Sequence, residues 1–212
     1  EIKLEDKIDI NQIIEKNNAI ISVFPGSRKS EIEVLTPILL EFISLMNLKY
    51  NDLKYIFHST KTFNNLIHSY IKSEDLKNCE VISDDKIKSY ILKKSIFAVT
   101  KSGTISLEVC NAKIPSIILY KMGIINFLII KMLVKTKFAN IINIAANEEV
   151  IPELLQSNCN ALNIFKKVSN FLENPNEIKN QVNRTQDILK KLKTEKSSSY
   201  LAAQSIVRIL QN

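Results

Sequence analysis

Two short turns hold most of the groups in this chain that could meet an anion. The first, Pro25-Gly26-Ser27-Arg28-Lys29-Ser30, sets a glycine, hydroxyls and an arginine at the start of a helical pattern. Backbone N–H groups at a helix start and a guanidinium fork suit a phosphate or a pyrophosphate. The second, Thr100-Lys101-Ser102-Gly103-Thr104, also leads into a helical pattern, and Glu108 follows one turn beyond Thr104 on the same face. A carboxylate there could accept the two hydroxyls of a ribose, while the helix start favours an anion. Two of only three glycines (Gly26, Gly103, Gly123) fall in these turns, as does one of three arginines (Arg28, Arg184, Arg208). Blander roles stay open: Gly26 making a tight turn while Arg28 pairs with Glu31 on the surface, and the second turn capping a helix with Glu108 solvated.

Other chemistries lack their residues. The chain has no G-x-x-x-x-G-K-[ST], G-x-G-x-x-G or G-x-S-x-G, which removes the P-loop, dinucleotide-fingerprint and hydrolase-elbow readings. His58 and His68 lack an H-E-x-x-H context and read as core or surface residues, and Asp84-Asp85 reads as a helix cap. Cys79, Cys110 and Cys159 are odd in number and far apart, so neither a disulfide framework nor a C-x-x-C metal site is available, and a reducing compartment is expected. The net charge of +7 comes from dispersed lysines without an aromatic ladder, which argues against nucleic acid.

The elements that must position the two turns follow from periodicity. At 212 residues, 45% of them hydrophobic, the chain is long enough for one large domain or a domain with an appendage. Ala19–Phe24 is a β-branched apolar run stopped by Pro25-Gly26 and reads as a buried strand. A helix follows, with Ser30 and Glu33 at capping-box spacing and Pro37 either kinking it or opening it. Strands at Leu53–His58, 80–82, 96–100 and Ser116–Tyr120 then alternate with helices at 64–71, 86–93, 104–112 and about 124–134, and a strand is expected around 139–144. This alternation implies right-handed βαβ units and a doubly wound parallel sheet. No strand pattern appears beyond Pro152, where 162–172, 178–192 and 199–210 read as helices. The expected division is a sheet domain over 1–157 and a carboxyl-terminal helical region over 158–212. The apolar stretch 117–134 is interrupted by Lys121, Gly123 and Lys131, too broken for the roughly 20 apolar residues of a spanning helix. It reads as a buried strand and helix, or as a helix that also touches a membrane surface with Lys121, Lys131, Lys135 and Lys137.

Taken together, Phe24-Pro25-Gly26-Ser27-Arg28 with Glu31-Ile32, Ser102-Gly103-Thr104 with Leu107-Glu108, and Asn143 followed by 150–156 (VIPELLQ) resemble the lipid-A-disaccharide synthase family. The resemblance covers essentially the whole chain but only the carboxyl-terminal half of a family member. It implies an α/β, Rossmann-like donor domain that is one half of a glycosyltransferase-B fold. The implied reaction is inverting transfer of 2,3-diacylglucosamine from its UDP conjugate to 2,3-diacylglucosamine 1-phosphate. It would give the β-1,6 lipid A disaccharide 1-phosphate and UDP, at the inner face of the bacterial cytoplasmic membrane. Gly26, Ser27 and Arg28 would lie by the donor diphosphate; Ser102, Gly103 and Thr104 at the phosphate-binding helix start; Glu108 at the ribose; Asn143 facing an interdomain cleft. Arg28 and helix dipoles would stabilise charge building on the leaving diphosphate, so neither a metal nor another cofactor is called for. The acceptor site and general base would belong to the amino-terminal half, which this chain lacks, leaving it unable to complete the reaction alone.

Two positions depart from the family pattern: Asn147-Glu148, where a glycine and a basic residue are frequent, and Lys101 before Ser102. The rival expectations are another UDP-sugar enzyme, an epimerase or a cell-wall glycosyltransferase, and a non-enzymatic nucleotide- or RNA-binding module.

Overall fold

β-Branched and aromatic runs form the strands, and the amphipathic stretches between them form the crossovers. In the computed structural model, which describes residues 19–123, 136–193 and 198–210, the order is β1 (Ala19–Phe24), α1 (Lys29–Asn47), β2 (Leu53–His58), α2 (Asn64–Ser73), β3 (Cys79–Ile82), α3 (Asp85–Lys94) and β4 (Ser95–Lys101). Then follow α4 (Ile105–Asn111), β5 (Ser116–Tyr120), α5 (Ile141–Ala146), β6 (Glu153–Leu155), α6 (Ala161–Glu173), α7 (Pro175–Leu192) and α8 (Ser198–Leu210). The six strands make one parallel sheet ordered β3-β2-β1-β4-β5-β6. This is the expected doubly wound α/β architecture, with its order reversing between β1 and β4. Phe24 pairs with Thr100 across that reversal, so the turns that follow β1 and β4 emerge side by side at the carboxyl edge, where such sheets bind ligands.

Both faces of the sheet are covered, which is why the strands read as unbroken apolar runs. Ile21, Val23, Tyr55, Phe57, Phe97, Val99, Ile117 and Leu119 pack into one core with α1 and with Ile164, Val168 and Phe171 of α6. Ile20, Ile56 and Ile82 pack on the other face with Ile91 of α3, and Phe24 and Ala98 pack there with Leu92 and Val109. Leu189 of α7 joins Cys110, Ile118 and Ile142 on that face. The helices beyond 158 thus contribute to both cores.

Local chemistry departs from the sequence expectation in four places. Residues 139–144 do not form a strand: Ile141–Ala146 is α5, capped by the Asn140 side chain, which accepts from Ile142 N at 2.9 Å. Asn147 closes α5 in the left-handed conformation, φ +53°, a position that favours glycine or asparagine, so the departure from the family glycine is a tolerated one. β6 lies beyond Pro152 after all, but three residues are too few to display an alternation. The capping box begins at Arg28 and uses Glu31 rather than the Ser30–Glu33 pair. α1 runs through Pro37 rather than opening there, and the proline sits on the exposed side of the helix. Asp84 does cap α3, accepting from Lys86 N and Ile87 N at 2.9 and 3.0 Å. The helix expected over 124–134 lies outside the described residues.

One polar chain crosses the β1 side of the core. His58 Nε2 lies 2.8 Å from Ser22 Oγ, Ser22 Oγ lies 2.8 Å from Ser95 Oγ, and Ser95 Oγ donates to the Ile91 carbonyl at 2.9 Å. His58 is 5% exposed, and burial, followed by the charge of Lys88, pushes its imidazole down to about 3. Between that value and the ordinary 6.5 the unfolded chain binds the proton and the folded chain does not, so stability falls as pH falls through this window. Urea unfolding should show a loss of about 2 kcal/mol between pH 7.5 and 5.0 attributable to this imidazole. His58→Phe should flatten that part of the profile, and an unchanged slope in the variant would refute the assignment.

Candidate functional site

Gly26 makes the first turn possible. Its φ of +124° suits glycine, and a Cβ there would lie 2.6 Å from Glu31 Oε2 and 2.7 Å from Glu31 Cβ. The Glu31 carboxylate fills that space and gathers the turn around itself. Its Oε2 accepts from Ser27 N at 3.0 Å and Arg28 N at 3.3 Å. Its Oε1 meets the Arg28 guanidinium at 3.3 Å and the Lys101 ammonium at 2.9 Å. Burial would raise the Glu31 carboxyl, but the Lys101 hydrogen bond and charge and the two amides together hold it below its ordinary value. Lys101, singled out as unusual, therefore ties the end of β4 to the turn after β1.

The second turn is fixed from the far side of the sheet. Ser102 N donates to the Leu119 carbonyl at 2.9 Å, and the buried Ser102 hydroxyl donates to the Ala139 carbonyl at 2.8 Å. The Ala139 segment is in turn held by Glu153 of β6, which accepts from Ala139 N, Asn140 N and Asn143 Nδ2 at 2.7, 2.9 and 2.8 Å. Gly103, Thr104 and Glu108 remain exposed.

A cavity of about 470 Å³ opens between the turns, within the size range of small-molecule sites. Gly26, Ser27, Ser102, Gly103, Thr104 and Glu108 all line it, so six of the eight residues singled out from the sequence converge there. Arg28 stands beside that lining, its side chain 78% exposed and paired with Glu31. Asn143 does not face a cleft within this chain, because it is fully buried. Its Oδ1 accepts from Val150 N and Ile151 N, both at 2.9 Å, and its Nδ2 donates to the Ile151 carbonyl and to Glu153, so its amide is consumed in holding α5 against β6.

The cavity also has walls that the sequence reading did not find. Phe24 and His58 stack with ring centroids 4.1 Å apart, and Asp85 and Lys88, 3.1 Å apart as an ion pair, come from α3. Only the strand order brings His58, at the end of β2, next to β1. Glu148 pairs with Arg184 of α7, which accounts for an acid at that family-variable position. Among the described residues no group of three or more His, Cys, Asp or Glu could hold a metal ion, and no helix is long and apolar enough to cross a membrane.

Comparison with known proteins matches this geometry to one family and a wider fold. The family model described as lipid-A-disaccharide synthetase matches residues 1–207. The lipid-A-disaccharide synthase of Rickettsia felis is 37% identical over 198 residues, covering 91% of this chain and 49% of that protein. The chain therefore spans about half the length of the curated relatives it matches. Among solved structures, the UDP-GlcNAc 2-epimerase of Neisseria meningitidis bound to UDP-GlcNAc superimposes with a TM-score of 0.57 at 14% identity, covering 86% of this chain and 46% of that one. The C-terminal domain of a group 1 glycosyl transferase from Francisella tularensis gives 0.53 at 13% identity, covering 82% and 85%. These two likenesses speak to the fold, which is that of glycosyltransferase-B and epimerase domains. Matched by the family model along nearly its whole length, the chain belongs to the lipid-A-disaccharide synthetase family.

Proposed function

We propose that this chain is the UDP-sugar donor half of an inverting glycosyltransferase of lipid A synthesis. It would help transfer 2,3-diacylglucosamine from its UDP conjugate to the 6-hydroxyl of 2,3-diacylglucosamine 1-phosphate. The observation that carries the reading is the pairing of two glycine-bearing turns across the β1/β4 reversal, joined by Lys101 and Glu31, in a chain of this family.

In this reading the donor diphosphate lies between the turns. The Ser27 and Arg28 amides already serve Glu31, so the first turn offers the Arg28 guanidinium and the Ser27 hydroxyl, and the second offers the start of α4 at Gly103 and Thr104. Ser102 supports the second turn through its bond to Ala139. As the sugar–phosphate bond breaks at the anomeric carbon, the electron pair passes to the diphosphate. A guanidinium placed there gains more interaction with that growing charge than with the ground state. Glu108 accepts from the ribose hydroxyls. Asn143 acts by fixing the α5–β6 corner rather than by meeting the sugar. The acceptor, the base that takes its hydroxyl proton, and completion of the reaction belong to the amino-terminal half that family members possess. The substrates are acylated and anionic, so a peripheral position at the inner face of the cytoplasmic membrane fits them.

Calorimetric titration of the 212-residue chain with UDP, using ADP as control, tests the reading. UDP should bind and ADP should not, and a folded chain that binds neither would overturn it. Arg28→Ala should weaken UDP binding by about 1.5–3 kcal/mol, the range for hydrogen bonds to charged groups; unchanged affinity with an intact fold would remove Arg28 from the diphosphate. Glu108→Gln should cost more affinity for UDP than for 2′-deoxy-UDP, whereas equal losses for the two nucleotides would remove its ribose role.

A further inference from the structure

One arrangement of protons gives every hydroxyl and carbonyl oxygen of the polar chain beneath the cavity a donor. The Ser95 hydroxyl has one hydrogen and gives it to the Ile91 carbonyl at 2.9 Å. Ser95 therefore has none left for Ser22, and in the 2.8 Å contact between the two hydroxyls Ser22 is the donor. Ser22 in turn has none left for His58, so in their 2.8 Å contact the hydrogen sits on His58 Nε2 and Ser22 Oγ accepts it. A neutral imidazole protonated at Nε2 carries a lone pair at Nδ1.

That lone pair has no partner. His58 Nδ1 is enclosed and makes no hydrogen bond among the described residues, yet its ring forms part of the cavity wall, stacked on Phe24 at 4.1 Å with 22° between the planes. The other buried side-chain atoms without a partner belong to Thr36, Tyr55, Asn64, Asn140 and Gln156, none of which lines the cavity. An unmet buried acceptor is costly to the folded chain alone, and a ligand donor would remove that cost.

We propose that His58 is a specificity-determining residue of this site, its Nδ1 accepting a hydrogen bond from an N–H or O–H group of the bound UDP-sugar. The inference rests on the donor-site reading above. A ligand that presents a lone pair or a methyl group at that place leaves the acceptor unmet and is disfavoured. Two groups of the nucleotide carry the required hydrogen, the imide N3–H of uracil and the ribose 2′-hydroxyl. The Ser22–Ser95 relay is what keeps Nδ1 unprotonated, so Ser22 and Ser95 act as positioning residues.

The test is a cycle of ligands against variants. The 212-residue chain and His58→Phe are each titrated with UDP, N3-methyl-UDP and 2′-deoxy-UDP. In the unmodified chain the analogue lacking the hydrogen that His58 accepts should bind about tenfold or more weakly than UDP, the scale of one lost hydrogen bond. In His58→Phe the penalty of that same analogue should shrink by about that factor, leaving for 2′-deoxy-UDP only the share owed to Glu108. Which analogue it is tells whether base or ribose supplies the donor. Imidazole nitrogen NMR of the unmodified chain gives a readout that does not depend on the variant folding. With His68→Gln removing the only other histidine, the His58 Nδ1 resonance should lie in the unprotonated range and move upfield with UDP, but not with the disfavoured analogue. A protonated Nδ1 in the ligand-free chain, or analogue penalties identical in the chain and in His58→Phe, would overturn this inference while leaving UDP binding intact. Absence of UDP binding would overturn the donor-site reading as well.

Discussion

The geometry of the site hangs on one carboxylate. Glu31 occupies the space that a Cβ on Gly26 would fill, takes two backbone amides of the turn, and receives both a guanidinium and an ammonium on its other oxygen. Its partner Lys101 ends the strand that pairs with β1. A parallel β1–β4 register is therefore what allows a helix-start acid to bridge the reversal of strand order. Without Lys101 the half-buried carboxylate would be left with an exposed arginine as its one countercharge beside the two amides. The charges inside the cavity are largely balanced, Lys101 against Glu31 and Lys88 against Asp85. In the proposed donor site a diphosphate would meet cations that already have partners, and Arg28, the most exposed of them, would be the one most able to turn towards it.

The second turn depends on residues far along the chain. Glu153 holds the Ala139–Asn140 backbone and Asn143, and the Ala139 carbonyl holds Ser102. Glu153, within the 150–156 motif, thus reaches the second turn through the Ala139 backbone and Ser102. The left-handed Asn147 and the Asn143 amide shape the corner that makes this possible. Buried hydrogen bonds of this kind define one backbone arrangement far better than apolar packing would.

Much of this was legible before any coordinates. Ala19–Phe24, Leu53–His58 and Ser116–Tyr120 are strands covered on both faces and show as apolar runs, and the scarcity of glycine pointed straight to Gly26 and Gly103. What escaped was set by tertiary context. The isoleucines of 139–144 favour a strand by local propensity, but the Asn140 cap and burial of Ile142 against α7 make that segment helical, as tertiary packing overrides weak intrinsic preferences. β6 is shorter than any readable period. His58 and Lys88 carry no motif, and they become site residues only because β2 lies beside β1 and α3 crosses back beneath both. Asn143 is picked out by its motif, but its burial is not, since a side-chain amide reads the same whether it faces a ligand or a backbone.

The contrast between Glu31 and His58 indicates how such a site divides its labour. Glu31 has all its capacity met inside the chain, so the Gly26 turn is ordered on folding and its ordering cost would not fall on a ligand. His58 is held as firmly through Nε2 but keeps one acceptor unmet, a local violation of polar satisfaction at the cavity wall. Sequences tolerate such violations where function requires them and offset them elsewhere, and here the offset is the stacked Phe24 ring and the two-serine relay. In the proposed donor site, a preformed turn would supply the general attraction for a diphosphate, while a single unmet lone pair on the adjoining wall would discriminate between the molecules that carry one.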